Sequence, residues 1–295
     1  MRNLSNLKYL FLRNNHELAP LPTGLIGELE KLTEFDVFAT RCFLDSYLMT
    51  ELQETDHEYL MLGLTVKSIG QFLGLSKFLC ILPRVSLLYL CLLDLQGCTT
   101  IDLYKLSGIK RLRELCIMDC NVLSLVAEVQ DETQDAQQLL HVLQMVAIRG
   151  LSKLREVNLK TVGVSITSIS ISVCPALIDL SWIKDLINLE QLSVTQCRML
   201  NKILSLDVVQ QDTISMPKLK TVHLEGLEEL TVIADLTLKL DNIVHFSVFL
   251  CSKLVGLPVV GERKPKVILD CDISFSDKIL QDGNESPYSI RVAWY

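Results

Sequence analysis

Aromatic side chains make up only 6% of this chain, and its 295 residues include just 13 glycines and 8 prolines. A core of mixed bulky residues is therefore unexpected; one built from a single recurring aliphatic side chain fits better. No run of lysine or arginine is dense enough to follow a phosphate backbone. With 35 acids against 28 bases the formal charge is −7, so nucleic acid is not an expected partner. The opening stretch MRNLSNLKYLFLRNNHELAP is too polar for a secretory leader. No run of about 18 apolar residues is available for a membrane span, and the greasiest segment, FLCILPRVSLLYLCLLDL, is broken by Pro83 and Arg84. With no leader expected, the ten cysteines read as reduced thiols of a cytoplasmic protein rather than as a disulfide framework. The glycosylation-like triplets at Asn3 and Asn284 then read as chance matches.

Catalytic and metal motifs are missing as well. The five histidines are scattered at 16, 57, 141, 223 and 245, with no H-E-x-x-H; no cysteine pair has C-x-x-C spacing, and G-x-S-x-G is absent. No metal, no cofactor and no enzymatic activity are expected.

What the chain does have is a repeat. LSNLKYLFLRNNHEL sets Leu4, Leu7, Leu10, Leu12, Asn15 and Leu18 in the frame L-x-x-L-x-x-L-x-L-x-x-N-x-x-L of a leucine-rich repeat. With the third leucine as pivot, copies centre on Leu10, Phe35, Leu62, Leu93, Leu115, Val146, Ile169, Leu192, Val222 and Phe246. Intervals of 22 to 31 residues separate these ten pivots, the long ones implying inserted loops. The L-x-L core alternates with period two, as in a short strand with one face buried. The expected fold is an α/β repeat solenoid, a curved horseshoe with a parallel sheet on its concave face and an irregular or short-helical convex side. About ten repeats are expected over residues 1–270, with insertions near 41–59, 127–138 and 205–215. The first of these is rich in helix formers, and the other two read as polar surface loops. An irregular cap or tail is expected over 271–295.

Two finer features carry a resemblance. LAPLPTGLIGELEKLTEF after the first repeat, and the later form L-x-x-L-x-I-x-x-C-x-x-L in CPALIDLSWIKDLINLEQLSVTQC, resemble the repeats of plant intracellular nucleotide-binding leucine-rich-repeat disease-resistance receptors, over roughly residues 4 to 260. No G-x-x-x-x-G-K-[ST] loop is present, so the likeness is to the repeat region without the nucleotide-binding domain. It implies a non-enzymatic recognition role in plant defence. The implied partners are pathogen effectors, guarded host proteins or a nucleotide-binding domain of the same or a related receptor. The alternatives are the substrate-recognition arm of an F-box ubiquitin ligase, whose C-x-x-[IL]-T-D-x-G continuation is lacking here, and a stand-alone scaffold.

If binding is the function, the outward positions one and three residues after each pivot should stack into one concave surface. They are Phe11 and Arg13, Asp36 and Phe38, Asp94 and Gln96, Cys116 and Met118, Ala147 and Arg149, Ser170 and Ser172, Ser193 and Thr195, His223 and Glu225, and Ser247 and Phe249. Aromatics and arginine often dominate interface energetics, making Phe11, Arg13, Phe38, Arg149 and Phe249 the preferred anchors. Stacking would also align Ser193, His223 and Ser247 beside Glu225; this imitates a hydrolase triad but reads better as a polar recognition surface. Cys98, Cys120, Cys174, Cys197 and Cys251 are expected five residues after their pivots. That slot is held by Asn15, Leu151 and Leu227 in other copies, so the thiol is expected to serve as a small buried residue.

Overall fold

The computed structural model describes residues 4–55, 58–81, 85–96, 98–106, 109, 111–127, 142–159, 165–204, 213–234, 237–258, 266–280 and 288–293. Its backbone is one parallel sheet of twelve strands: β1 (Tyr9–Phe11), β2 (Glu34–Asp36), β3 (Met61–Ser68), β4 (Leu87–Gln96), β5 (Leu112–Met118), β6 (Met145–Arg149), β7 (Ser168–Ser172), β8 (Gln191–Thr195), β9 (Thr221–Glu225), β10 (His245–Phe249), β11 (Val267–Cys271) and β12 (Tyr288–Val292). Each strand pairs with its sequence neighbours, so the order in space is the order in the chain. The chain is a leucine-rich repeat solenoid.

Pivot pairs with pivot along most of the sheet: Leu10 with Phe35, Phe35 with Leu62, Leu115 with Val146, and onward through Ile169, Leu192, Val222 and Phe246. These side chains and those two residues later point into a continuous core, and from Phe35 onward nearly all are at most 4% exposed. Short accessory strands line the opposite side, in a three-stranded set (100–102, 124–126, 156–158) and two pairs (202–204 with 232–234, 213–215 with 237–239). The described residues also include four α-helices, α1 (Leu25–Glu28), α2 (Ser46–Glu54), α3 (Ile69–Ile81) and α4 (Ile273–Leu280), and short 3-10 turns at Leu103–Leu106 and Ser181–Asp185. The helix-forming segment at 41–59 thus contains α2, capped where the Asp45 carboxylate accepts from the Leu48 N–H at 2.8 Å.

Turn geometry marks the repeat more sharply than the leucines do. Four residues after the pivot the backbone is left-handed in nine copies: Asn14, Ala39, Asp94, Asp119, Gly150, Val173, Gln196, Gly226 and Leu250, with φ between 49° and 70°. The N–H there is donated to the next repeat; Asp119 reaches the carbonyl of Arg149 at 2.9 Å and Gln196 that of Glu225 at 2.8 Å. Asn14, Asp119, Val173 and Gln196 donate this N–H to a carbonyl of the next repeat and Leu250 donates to the Asp272 carboxylate, a bond that holds a conformation costing about 1 kcal/mol for a non-glycine residue.

That mark corrects the fourth repeat. Asp94 is the turn residue, so the pivot is Leu90, which pairs with Leu115, whereas Leu93 pairs with Met118 on the outward face. The intervals around it become 28 and 25, in place of 31 and 22. The register slides here because β3 and β4 are long: Leu62 pairs with Leu88 but Leu64 with Leu90, and β5 absorbs one extra residue where Leu88 pairs with Leu112. A slip of two keeps every side chain on its face.

At the carboxy end the sheet runs two strands past the ten pivots read from sequence. Leu269 pairs with Phe246 and Ile290 with Leu269, and α4 lies between the last two strands in the chain, so ordered elements occupy much of 271–295. Of the two polar insertions, 128–138 and 205–212 lie outside the described residues.

Candidate partner-binding face

Parallel pairing stacks the outward residues as expected from β5 onward. One row runs Met118, Arg149, Ser172, Thr195, Glu225, Phe249; a second runs Cys116, Ala147, Ser170, Ser193, His223, Ser247, Asp270; a third runs Glu114, Met145, Ser168, Gln191, Thr221, His245, Ile268. Arg291 extends the second row on β12. With the pivot at Leu90, the outward pair on β4 is Cys91 and Leu93. Asp94 instead occupies the turn, with a long ion pair to Lys67 at 3.9 Å, and Gln96 pairs with Ser68 beyond it.

The two ends of this face differ physically. In the amino-terminal half outward side chains pack onto one another, forming a second small core of Phe38, Ala39, Cys91, Cys116 and Met118, with Tyr89, Leu93 and Ala147 against it. Arg13 closes that cluster. Its guanidinium lies 4.4 Å from the centre of the Phe38 ring and 4.6 Å from that of Tyr89, donates to Asp36 at 2.7 Å and reaches Glu114 on β5 at 3.0 Å. Asp36, only 3% exposed, leans over β3 at Gly63, where any Cβ would collide with its carboxylate. Arg13, Asp36, Phe38 and Met118 are therefore engaged by their own neighbours. Phe11 stays 56% exposed, stacked on Tyr9 at 6.3 Å.

From β6 to β9 the face is open, and it closes again at β10. Arg149 is exposed, Ser170, Ser172, Ser193 and Thr195 are half-buried, and Gln191 is exposed. His223 Nδ1 lies 2.9 Å from Ser247 Oγ, and His223 Nε2 lies 3.3 Å from Glu225. His245 Nε2 lies 2.7 Å from the carboxylate of Asp270. The serine, histidine and acid thus meet, with Ser193 one strand further along the row. Ser247 is 9% exposed and sits mid-strand in β10, where the N–H groups beside it are committed to ladder bonds with β9 and β11. An acyl-transfer site needs free N–H donors aimed at a developing oxyanion. The cluster is a set of mutually paired side-chain donors and acceptors on the outward face.

Phe249 departs from expectation: at 7% exposure it belongs to the packed interior of the face. Of the five preferred anchors, Phe11 and Arg149 are exposed, Arg13 is half-buried in its ion pairs, and Phe38 and Phe249 are buried. The opposing signal was present in the spacing, since Cys91, Leu93, Cys116 and Met118 form an apolar outward run no solvated sheet face requires.

The cysteine slot is a buried hydrogen-bonding position. Each thiol donates to the carbonyl two residues back: Cys120 to Met118 at 3.2 Å, Cys174 to Ser172 at 3.4 Å, Cys197 to Thr195 at 3.4 Å and Cys251 to Phe249 at 3.3 Å. The sulfur accepts in turn from the preceding repeat, as where the Leu95 N–H meets Cys120 at 3.4 Å. Leu95 holds the slot in its repeat; Cys98 lies three residues later, donating to the carbonyl of Thr100 at 2.8 Å. All nine described cysteines are free thiols, and burial pushes those of Cys120 and Cys251 up to about 11.

No family model matches the chain, and no curated protein matches it. Among solved structures, the plant peptide hormone receptor RGFR1 in complex with RGF2 is similar over 98% of this chain and 67% of its own, at 13% identity and a TM-score of 0.31.

Proposed function

We propose that this chain is a non-enzymatic protein-recognition domain of the plant disease-resistance type, which binds a pathogen effector or a guarded host protein on its concave face in the cytoplasm. The observation that carries this reading is the open stretch of concave sheet from β6 to β9, a row of exposed and half-buried, mostly polar side chains on a parallel scaffold. The likeness of the repeats LAPLPTGLIGELEKLTEF and CPALIDLSWIKDLINLEQLSVTQC to those receptors supports the defence role. Nine free, buried thiols agree with a reducing compartment, and among the described residues no helix is long and apolar enough to cross a membrane.

The test is co-purification from pathogen-inoculated plant tissue. A Ser170→Tyr, Ser193→Tyr double variant, which fills the open face, should lose the bound protein. Lys153→Glu, an exposed change away from the sheet, should keep it. Equal recovery with both variants would remove the concave face from the reading.

A further inference from the structure

The open face has an electrical direction. Arg149, Ser172, Thr195 and Glu225 stand in register on four consecutive strands, β6 to β9. The Arg149 guanidinium is exposed and makes no hydrogen bond or ion pair with another described side chain. The positions beside it in the parallel row are Ala147, Ser170, Ser193 and His223, and beyond these the carboxylates of Glu225 and Asp270 are 40% and 31% exposed. Between cation and anions the floor is hydroxylic: Ser168, Ser170, Ser172, Ser193 and Thr195 are all half-buried, and their short side chains leave a shallow trough. The apolar cluster under Arg13 bounds it on the amino-terminal side.

From this we infer that the trough binds an extended peptide segment of a partner protein, laid across the strands with an acidic side chain on Arg149 and a basic one at Glu225. The inference rests on the recognition role proposed above and gives that role a charge pattern. Three strand spacings separate Arg149 from Glu225, about 14 Å at roughly 4.8 Å each. An extended chain advances about 3.3 Å per residue, so the acid and the base should be four residues apart. Arginine suits the first site because its planar fork grips a carboxylate with two parallel bonds. The floor hydroxyls both donate and accept, so they can satisfy the peptide's backbone groups whatever the intervening side chains. Opposite charges at the two ends set the direction in which the segment lies, because the reversed peptide would place like charges together.

Selection of a random twelve-residue phage-displayed library on the full chain tests this. Enriched sequences should carry an acid followed or preceded at four residues by lysine or arginine, in one direction only. A synthetic peptide of that sequence, followed by fluorescence anisotropy, should bind Arg149→Glu at least tenfold more weakly. Selection on Arg149→Glu should exchange the acid for a base while leaving the other end unchanged; selection on Glu225→Lys should do the converse. Peptides that bind and are displaced by the Ser170→Tyr, Ser193→Tyr variant, yet show no charge pattern, would overturn the polarity and leave the recognition face standing. Peptides indifferent to that double variant would overturn both, and a library yielding no enriched peptide would overturn the peptide trough.

Discussion

Phe249 and Arg149 occupy the same position of the repeat and meet opposite fates. Truncating the buried ring in Phe249→Ala should cost about 3 to 5 kcal/mol by chemical denaturation, the range for a large aromatic removed from a packed site. Arg149→Ala should fall within about 0.5 kcal/mol of wild type, as for an exposed residue away from any packed feature. Gly63 is the sharper case. A methyl there meets the carboxylate of Asp36, the group that holds Arg13 across the strands. Gly63→Ala should destabilise by about 1 to 3 kcal/mol through overpacking, and Asp36→Ala should relieve part of that cost in a double-mutant cycle. Strictly additive losses would show that the two side chains do not compete for the same space. Neither effect was legible in the sequence, where Gly63 is simply a glycine inside an apolar run.

At the scale of the element, the turn after each strand does most to set the register. Its left-handed residue varies freely in type, from Asn14 and Asp119 to Val173 and Leu250, because the bond from its N–H to the following repeat, not its side chain, stabilises the conformation. Sequence patterns therefore reveal the slot one residue later more readily than the turn itself. That slot requires burial first and a donor second: Leu151 and Leu227 fill it at 0% exposure, as do Cys174 and Cys197. Cys197→Val should accordingly cost less than about 1.5 kcal/mol, as for other size-conserving core changes. Cys197→Asp should cost several kcal/mol, since it buries a charge beside the Thr195 carbonyl. Thermal denaturation of the two variants against wild type measures the difference; equal losses would mean that geometry rather than polarity governs the slot.

For the molecule as a whole, the buried thiols link stability to pH. Cys120, Cys251 and Cys271 are each pushed to about 11 from an ordinary value of 9, mainly by burial. Between those limits the unfolded chain has released a proton that the folded chain retains, so stability is full below pH 9 and declines as pH rises toward 11. Each such thiol multiplies the unfolding constant by roughly ten per pH unit in that window. Urea midpoints measured from pH 8 to 11 should fall progressively, and the Cys120→Val variant should show a shallower decline than wild type. In the folded protein at pH 8 the nine described thiols should also resist a thiol reagent that labels them after unfolding.

Periodicity alone determined the fold class and most of the strand register, because a leucine every few residues can be buried only by stacking one repeat on the next. It also placed the outward rows from β6 to β10. Three matters waited on the tertiary structure. The true frame of the fourth repeat emerged from pairing between Leu90 and Leu115, since the run LLYLCLLDL offers leucines in several frames. The segment KVILDCD already reads as a last strand and is β11, whereas β12 was hidden because its pivot, Ile290, lacks the flanking leucines of the earlier copies. Which outward side chains meet solvent was decided by packing between rows: a sequence orders residues along a row, but only the folded sheet sets which of them pack on one another, covering Phe38 in the amino-terminal half and Phe249 on β10 and leaving the stretch from Arg149 to Glu225 open.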